Sequence, residues 1–322
     1  MKYLMGVDLG GTKISAAVSD LDGNLLHKLV VATRATEGEE AVMGRILSSL
    51  HELLKKVQGA PADIACIGVG TPGIISKKEG RIHRAYNLPF TDYDLLSPLK
   101  DRFGVPCILE NDANAAALGE YHFGQGQGME HLIYLTISTG VGGAAIIDGK
   151  LLEGSSGNAF EVGHMILDPR SDKTCSCGLT GDVEALCSGT AIGRRGMEAV
   201  DRGEDTLLSS FQNITTVDIH EAYLRGDEVS ERILREAFSY VGITAANLIT
   251  LYNPQVLVIG GGVSAMGDFF FDAVRESAEK SCLQFLYEGC RILPSALGQD
   301  TGVKGALAVA KSWLLESGRK DA

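Results

Sequence analysis

YLMGVDLGGTKISAAVSDLDGNLL, residues 3–26, contains three apolar runs separated by a glycine-rich reversal at Asp8–Lys13 and a turn at Asp22-Gly23. Apolar runs that reverse at glycine are typical of β-hairpins, and Asp-Gly is a strong signal for a tight hairpin turn. The stretch therefore predicts a three-stranded antiparallel meander with a glycine-rich tip between its first two strands.

A second stretch repeats this plan. Residues 132–152, LIYLTISTGVGGAAIIDGKLL, again contain an apolar run, a glycine-rich reversal, another run, an Asp-Gly turn and a last run. Two unrelated hairpins would explain the pattern, and so would a duplicated domain in which each copy opens with a hairpin. Under the second interpretation the tips Asp8–Lys13 and Ser138–Gly143 face a shared cleft.

Strands and helices alternate along the rest of the chain. Helical patterns cover 39–58, 228–252 and 301–317, and buried-type strands cover 64–69, 105–109 and 256–259. This alternation predicts an α/β fold with a parallel component. Because 322 residues exceed the size at which a single core usually stops growing, two domains are expected, 1–120 and 121–300.

Composition narrows the range of functions. The formal net charge of −12 argues against a nucleic-acid partner, which needs a basic face. Seven cysteines are an odd number in a chain too large to need disulfide staples, so a reducing, cytoplasmic setting is expected. Neither a targeting segment nor an apolar stretch of membrane-spanning length is visible, so no membrane partner is predicted.

Glycine-rich turns indicate a nucleotide site. The P-loop pattern G-x-x-x-x-G-K-[ST] does not occur. Gly68–Gly73 matches the dinucleotide pattern G-x-G-x-x-G, but the residues after Pro72 do not open a helix, so NAD binding is discounted. The Asp8–Lys13 tip offers backbone amides, a hydroxyl and an ammonium group, and Asp8 is a candidate Mg²⁺ ligand. The Gly260–Gly262 turn either leaves room for a nucleoside or is a tight crossover.

Six motifs in a fixed order resemble one protein family. They are Asp8–Lys13, Glu110–Glu120, Ser138–Gly143, Glu161–His164, Cys175–Gly178 and Gly260–Val263. Together they span almost the whole chain and resemble the ROK family of sugar kinases and repressors, especially its bacterial ATP-dependent glucokinases. The resemblance implies the actin-like ATPase (ribonuclease H-like) fold, with two α/β domains around a cleft. It also implies a C-terminal helix at 301–318 that packs back on the first domain, and a homodimer.

The resemblance further implies the cofactors and the reaction. ATP and Mg²⁺ would serve to phosphorylate a free hexose, most of all glucose at its 6-hydroxyl. The residues expected to bind ATP and Mg²⁺ lie on three glycine-rich turns: Asp8, Gly10, Gly11, Thr12, Lys13, Thr139, Gly140, Gly261 and Gly262.

Asn111 and Asp112 stand where a strand passes into a helix. Either residue suits a helix N-cap, so their local sequence leaves capping and catalysis open. In the resembled family the matching Asp accepts the proton of the attacking hydroxyl, and the matching Asn binds a sugar hydroxyl. The family pattern also assigns Glu161, His164 and Glu184 to sugar hydroxyls.

His164 and the Cys175-x-Cys177 pair suggest a zinc site. The resembled family carries a third cysteine where this chain has Asp182. A carboxylate oxygen is a permitted zinc ligand, so His164, Cys175, Cys177 and Asp182 form the candidate set for a structural Zn²⁺. The alternative is a loop that has lost its metal and is held by hydrogen bonds.

Two other functions remain open on the sequence. A sugar-responsive ROK-type regulator would be a DNA-binding protein, but no helix-turn-helix segment precedes the first strand. A kinase for another sugar, such as N-acetylmannosamine, N-acetylglucosamine, fructose or allose, is the closer alternative, because the shape of the pocket around the sugar 2-position cannot be inferred.

Overall fold

The computed structural model describes residues 1–85 and 87–320. The strands, in chain order, are β1 (Tyr3–Leu9), β2 (Lys13–Ser19), β3 (Leu25–Ala32), β4 (Ile64–Thr71), β5 (Ile74–Ser76), β6 (Arg81–Arg84), β7 (Thr91–Asp94), β8 (Cys107–Asn111), β9 (Leu132–Ile137), β10 (Val141–Ile147), β11 (Lys150–Leu151), β12 (Val256–Gly260) and β13 (Arg291–Pro294). The α-helices are α1 (Glu39–Lys56), α2 (Leu96–Phe103), α3 (Asp112–Phe123), α4 (Val183–Cys187), α5 (Gly189–Asp201), α6 (Thr216–Leu224), α7 (Glu228–Tyr252), α8 (Asp268–Ser281), α9 (Gln284–Glu288) and α10 (Thr301–Lys320).

The chain divides into two compact units. The first unit contains residues 1–128, 153–159 and the chain from 296 onward, and the second contains residues 129–152 and 160–295. These units follow the chain less simply than the predicted domains 1–120 and 121–300, because the short segment 153–159 belongs to the first unit.

Each unit is built on a five-stranded sheet, and the two sheets share one topology. Their strand orders are β3-β2-β1-β4-β8 and β11-β10-β9-β12-β13. In each sheet a three-stranded antiparallel meander is extended by two parallel strands. The predicted duplication is therefore confirmed, and two unrelated hairpins would not produce the same order of five strands.

The helix α10 packs against β1, β4 and α3 within the first unit. A Cβ added at Gly68 on β4 would lie 2.1 Å from the carbonyl oxygen of Ala306, and one at Gly6 on β1 would lie 2.8 Å from the backbone nitrogen of Leu307. Glycine therefore allows α10 to lie directly on both strands. The discounted dinucleotide pattern at Gly68–Gly73 has this packing role, and β4 is followed by β5 rather than by a helix.

The opposite core of the first unit is covered by α1. Its apolar stripe, Val42, Ile46, Leu50 and Leu53, is fully buried against residues of the large sheet. Residues three or four apart share one face of a helix, so this stripe accounts for both the helix and its orientation. A small antiparallel sheet of order β5-β6-β7 completes the unit and was not predicted from the sequence.

In the second unit the long helix α7 occupies the predicted range 228–252. Asp227 caps its start by accepting a hydrogen bond from the Ser230 backbone nitrogen at 2.7 Å, and Asn253 ends it in the left-handed conformation with φ 44°. Within residues 1–85 and 87–320, no helix is both long and apolar enough to cross a membrane.

Candidate active site

The β8–α3 corner, residues Glu110–Asn114, decides between capping and catalysis for Asn111 and Asp112. The Asn111 side chain is the N-cap of α3, because its Oδ1 accepts hydrogen bonds from the backbone nitrogens of Ala113 at 2.9 Å and Asn114 at 3.4 Å. Asp112 is the first helical residue and its side chain is exposed. Since Asn111 already caps the helix, the capping role does not explain Asp112.

Asp8 at the end of β1 interacts with Asp112. Burial raises the pKa of Asp8 to about 6, and the negative charge of Asp112 raises it further, while Lys13 and Lys28 act in the opposite direction. A Cβ added at Gly302, in the first turn of α10, would lie 2.2 Å from Asp8 Oδ2, so the carboxylate packs closely on that turn. Two carboxylates that raise each other's pKa favour a bound cation between them.

The first hairpin tip is held by hydrogen bonds to its own backbone. The Gly10 nitrogen donates to the Lys13 carbonyl oxygen at 3.0 Å, and the Thr33 nitrogen donates to the Thr12 carbonyl oxygen at 2.9 Å. Thr12 and Lys13 are exposed at the tip. A Cβ at Gly11 would lie 2.6 Å from the carbonyl oxygen of Asn87, a neighbour of this tip that the sequence did not reveal.

The second hairpin tip is fastened to the start of α5 and to Glu184. The Thr190 hydroxyl donates to the Thr139 carbonyl oxygen at 2.9 Å, and the Val141 nitrogen donates to Glu184 Oε2 at 3.0 Å. A Cβ at Gly140 would lie 2.4 Å from the same carboxylate oxygen. The structure thus brings Gly140 and Glu184, predicted for different ligands, into direct contact.

A cavity of about 520 Å³ lies within the second unit, beside this tip. Its lining includes Ser138, Thr139, Gly189, Thr190, Arg194, Met197, Ile214, Thr215, His220, Gly262, Val263 and Met266. An apolar cavity of this size with a few polar groups suits a planar ligand of nucleobase size. The predicted residues Thr139 and Gly262 line the cavity, whereas the contributions of α5 and α6 were missed because neither helix carries a local nucleotide motif.

Gly261 supports the turn beside this cavity. Its φ is +91°, and an added Cβ would lie 2.3 Å from the carbonyl oxygen of Ile137. Glycine is needed there both for the backbone conformation and for the close approach to β9. At Gly262 an added Cβ would meet nothing within 4 Å, so this glycine leaves open space instead.

Glu161 and His164 share one short 3₁₀ turn, Val162–His164. The His164 nitrogen donates to the Glu161 carbonyl oxygen at 3.0 Å. Gly163 fixes the turn on β10, because an added Cβ would lie 2.2 Å from the carbonyl oxygen of Val141. The Glu161 side chain is exposed and the His164 ring is partly buried.

The candidate zinc residues converge on one point. His164 Nδ1 lies 3.2 Å from Asp182 Oδ2, 3.5 Å from Cys177 Sγ and 3.9 Å from Cys175 Sγ. One ligand atom from each of the four residues lies within 4.8 Å of all the others. Tetrahedral zinc with sulfur at about 2.3 Å and nitrogen at about 2.0 Å separates its ligand atoms by roughly 3.3–3.8 Å, so the set fits Zn²⁺.

Asp182 has two functions in this cluster. It is fully buried, and its Oδ1 caps α4 by accepting a hydrogen bond from the Ala185 nitrogen at 2.8 Å. The other oxygen, Oδ2, faces His164 and Cys177. Cys175 and Cys177 are also in disulfide contact with each other, so an oxidised pair and a metal-bound pair are alternative states of these thiols.

Comparisons with known proteins define the class and then the family. The structure superimposes on the ROK hexokinase of Thermus thermophilus with a TM-score of 0.86 and 34% identity, covering 98% of this chain and 99% of that one. The ROK glucokinase of Streptomyces griseus, solved in complex with glucose and AMPPNP, matches with a TM-score of 0.77 and 33% identity over 96% and 99% of the two chains. These matches confirm the predicted α/β fold of the actin-like ATPase type.

The family follows from the sequence as well. The family model for the ROK family matches residues 4–312, and the chain belongs to that family. The glucokinase of Halalkalibacterium halodurans is 32% identical over 319 residues, covering 98% of this chain and 95% of the relative. A xylose repressor of Caldicellulosiruptor bescii is 31% identical over 315 residues, covering 97% of this chain and 79% of the repressor. The predicted family is thus confirmed, and it includes both enzymes and repressors.

Proposed function

We propose that this protein transfers the γ-phosphoryl group of ATP to the 6-hydroxyl of glucose. The enzyme class rests on family membership and on relatives that are glucokinases and hexokinases: the chain is a sugar kinase, an ATP-dependent phosphotransferase. Glucose as the preferred sugar rests on the glucokinase relatives and on the complete set Glu161, His164 and Glu184.

One observation carries the proposed chemistry: Asp112 is an exposed carboxylate beside a helix cap that another residue already provides. Phosphoryl transfer to an alcohol needs a group that accepts the hydroxyl proton while positioned donors stabilise the charge on the phosphoryl oxygens. We assign the proton-accepting role to Asp112. Asn111, the preceding residue, would bind a sugar hydroxyl through the part of its amide that the helix cap leaves available.

Sugar recognition is assigned to Glu161, His164 and Glu184. Carboxylate oxygens and the imidazole offer hydrogen bonds in fixed directions, which suits neighbouring hydroxyl groups. His164 would be oriented by a structural Zn²⁺ held with Cys175, Cys177 and Asp182, because a ring nitrogen bound to metal fixes the direction of the other nitrogen.

Nucleotide binding is assigned to the two hairpin tips and to the cavity of the second unit. Gly10, Gly11 and Gly140 expose backbone amides, which suit phosphate oxygens, and Thr12, Lys13 and Thr139 add hydroxyl and ammonium groups. The cavity beside Gly261 and Gly262 would take the nucleoside. Asp8 would hold Mg²⁺, which supplies charge neutralisation of the phosphates when bound.

The repressor relatives favour a second candidate function, a sugar-responsive regulator. The net charge of −12 disfavours binding to nucleic acid by this chain, and the carboxylate pair Asp8 and Asp112 serves no purpose in a protein that only binds sugar. A cytoplasmic homodimer without a membrane partner completes the proposal.

A substrate panel tests the proposal. We expect Mg-ATP-dependent phosphorylation of glucose with a higher kcat/KM than for fructose, allose, N-acetylmannosamine or N-acetylglucosamine. A second sugar that exceeds glucose tenfold in kcat/KM, equivalent to about 1.4 kcal/mol of transition-state binding, would replace glucose as the substrate. Absence of phosphorylation of all five sugars, together with a gel shift of promoter DNA, would favour the regulator.

A further inference from the structure

A buried ion pair lies directly behind the β8–α3 corner. Glu110 is on β8, immediately before Asn111, and its side chain is only 2% exposed. Its Oε2 forms an ion pair with the ammonium group of Lys77, which follows β5. None of the roles assigned above involves either residue.

Glu110 holds the backbone and a side chain on both sides of Asp112. Its Oε1 accepts a hydrogen bond from the Asn111 backbone nitrogen at 3.0 Å and another from Asn114 Nδ2 at 2.9 Å. Asn111 precedes Asp112, and Asn114 follows it in the first turn of α3. One carboxylate oxygen therefore fixes the strand end and the helix start between which Asp112 stands.

Lys77 supplies the charge that makes this arrangement tolerable. A buried carboxylate without a counter-ion is strongly destabilising, whereas a paired and hydrogen-bonded one can persist. Burial alone would lower the pKa of Lys77, but the attraction of Glu110, with a contribution from Glu153, raises it instead. Lys77 thus remains an ammonium group at neutral pH.

Lys77 also contacts a second carboxylate, Glu153, which is 50% exposed. Glu153 opens the segment 153–159, which belongs to the first unit and leads along the chain to Glu161. The two carboxylates differ in exposure, so the contact with Glu110 is the strong one and the contact with Glu153 is screened by solvent.

We propose that Lys77 and Glu110 are a positioning pair for the reacting carboxylate: Lys77 neutralises Glu110, and Glu110 fixes Asn111 and Asn114 so that Asp112 meets the sugar hydroxyl. This inference rests on the proposed function, because it needs Asp112 to act in phosphoryl transfer. It assigns neither Lys77 nor Glu110 a contact with substrate.

Lys77→Met tests the pair, with Lys78→Met as the matched control. The two lysines are adjacent and the substitutions change the charge equally, but Lys78 is exposed. A misplacement of about 1 Å can cost on the order of a hundredfold in rate, so kcat of Lys77→Met should fall tenfold to a hundredfold. The KM for ATP should stay within about twofold, since Lys77 lies outside the nucleotide cavity. Lys78→Met should match the wild type.

Two further variants separate positioning from general loosening of the fold. Lys77→Arg keeps the positive charge and should recover most of the lost kcat. The double variant Lys77→Met/Glu110→Gln removes both charges, yet its amide oxygen can still accept the hydrogen bond from Asn111, so it should exceed Lys77→Met in kcat. A purely structural pair would change the melting temperature in these variants while kcat per folded molecule stayed constant.

The outcomes distinguish this inference from the proposed function. If the wild type phosphorylates none of the sugars, the proposed function fails. If the wild type is active and folded Lys77→Met keeps its kcat, the positioning pair is wrong. Should Lys77→Met not fold, Glu153→Gln and Lys77→Arg decide: we expect a loss of less than about threefold in either, and a loss in Lys77→Arg as large as that expected for Lys77→Met overturns the pair.

Discussion

The hairpins of the two units have the same register but carry different chemistry. Asp8 pairs with Ser15 across the hairpin and with Gly70 on the parallel strand, and Thr136 occupies the same place in the second sheet, paired with Gly142 and Gly260. Both side chains are partly buried. The first copy therefore has a carboxylate where the second has a hydroxyl.

The last strands of the two sheets diverge in the same way. In the first unit β8 runs directly into α3 and delivers Asn111 and Asp112, whereas in the second unit β13 ends at Pro294 without a helix attached to it. The second unit instead has its cavity beside the glycine turn after β12. We infer that duplication supplied two glycine tips suited to phosphate, and that only one copy acquired the charged groups for transfer.

The largest effect that this comparison predicts is at Asp112. Asp112→Asn should lower kcat by at least about a hundredfold, because general-base assistance is typically worth about 10²–10⁴-fold. The melting temperature should stay near that of the wild type, since Asn111 provides the helix cap. Steady-state kinetics and thermal unfolding check both, with exposed Asp101→Asn as the control. More than about a tenth of the wild-type kcat in the folded variant would remove Asp112 from the proposed role.

Exchanging the distinguishing residue of the two hairpins should have the next largest effect. Asp8→Thr gives the first copy the residue of the second, and we expect kcat to fall about tenfold to a hundredfold, with a higher Mg²⁺ concentration for half-maximal rate. Thr136→Val, at the matching place, should change kcat by less than about threefold. Equal losses in the two variants would contradict the division of chemistry between the copies.

A smaller effect is expected at the metal cluster of the second unit. Protein purified without chelator should contain near-stoichiometric zinc by elemental analysis, and Cys177→Ser should raise the sugar KM and lower the melting temperature together. Asp182→Asn separates the two functions of that residue, because an asparagine oxygen can still cap α4 while binding metal more weakly. Full activity in zinc-free wild type would show that the disulfide or hydrogen bonds suffice to orient His164.

The smallest predicted effects concern the glycine turn that only the second copy uses for its cavity. Gly261→Ala should lower the free energy of unfolding by about 1–3 kcal/mol, because its φ is +91° and the added methyl group meets Ile137. Gly262→Ala, with open space around it, should leave stability unchanged and raise the ATP KM a few-fold. Denaturant unfolding and ATP titrations distinguish them, and identical behaviour of the two variants would sink this assignment.

Much of this fold could be predicted because its signals are local. Both hairpins announce themselves by a glycine reversal and an Asp-Gly turn, and α7 has a complete apolar stripe between Asp227 and Asn253, so its bounds were correct. The small sheet was missed because β5 and β7 are three or four residues long and β7 contains two aspartates, which disfavour strands.

The site was less predictable because its decisive contacts join distant positions. The local sequence left Asn111 and Asp112 equivalent as caps, and only the geometry shows that Asn111 caps the helix. Lys77 and Glu110 are joined by an ion pair across the fold, and no spacing rule connects a turn lysine with a strand glutamate. The four candidate zinc residues were predictable as a set because three of them lie within eight positions of each other.

The close seating of α10 on Gly6 and Gly68 has a consequence for biosynthesis. The ribosome releases residues 3–111, the whole of the first large sheet, long before it has made residues 301–320, which cover one face of that sheet. Apolar side chains of β1 and β4 such as Leu4 and Cys66 must therefore wait for a helix made almost two hundred residues later. The second unit has its strands and helices within residues 129–295 and can finish first, so the earliest sequence to emerge is the last to be buried, and the nascent first unit is where chaperones would be needed.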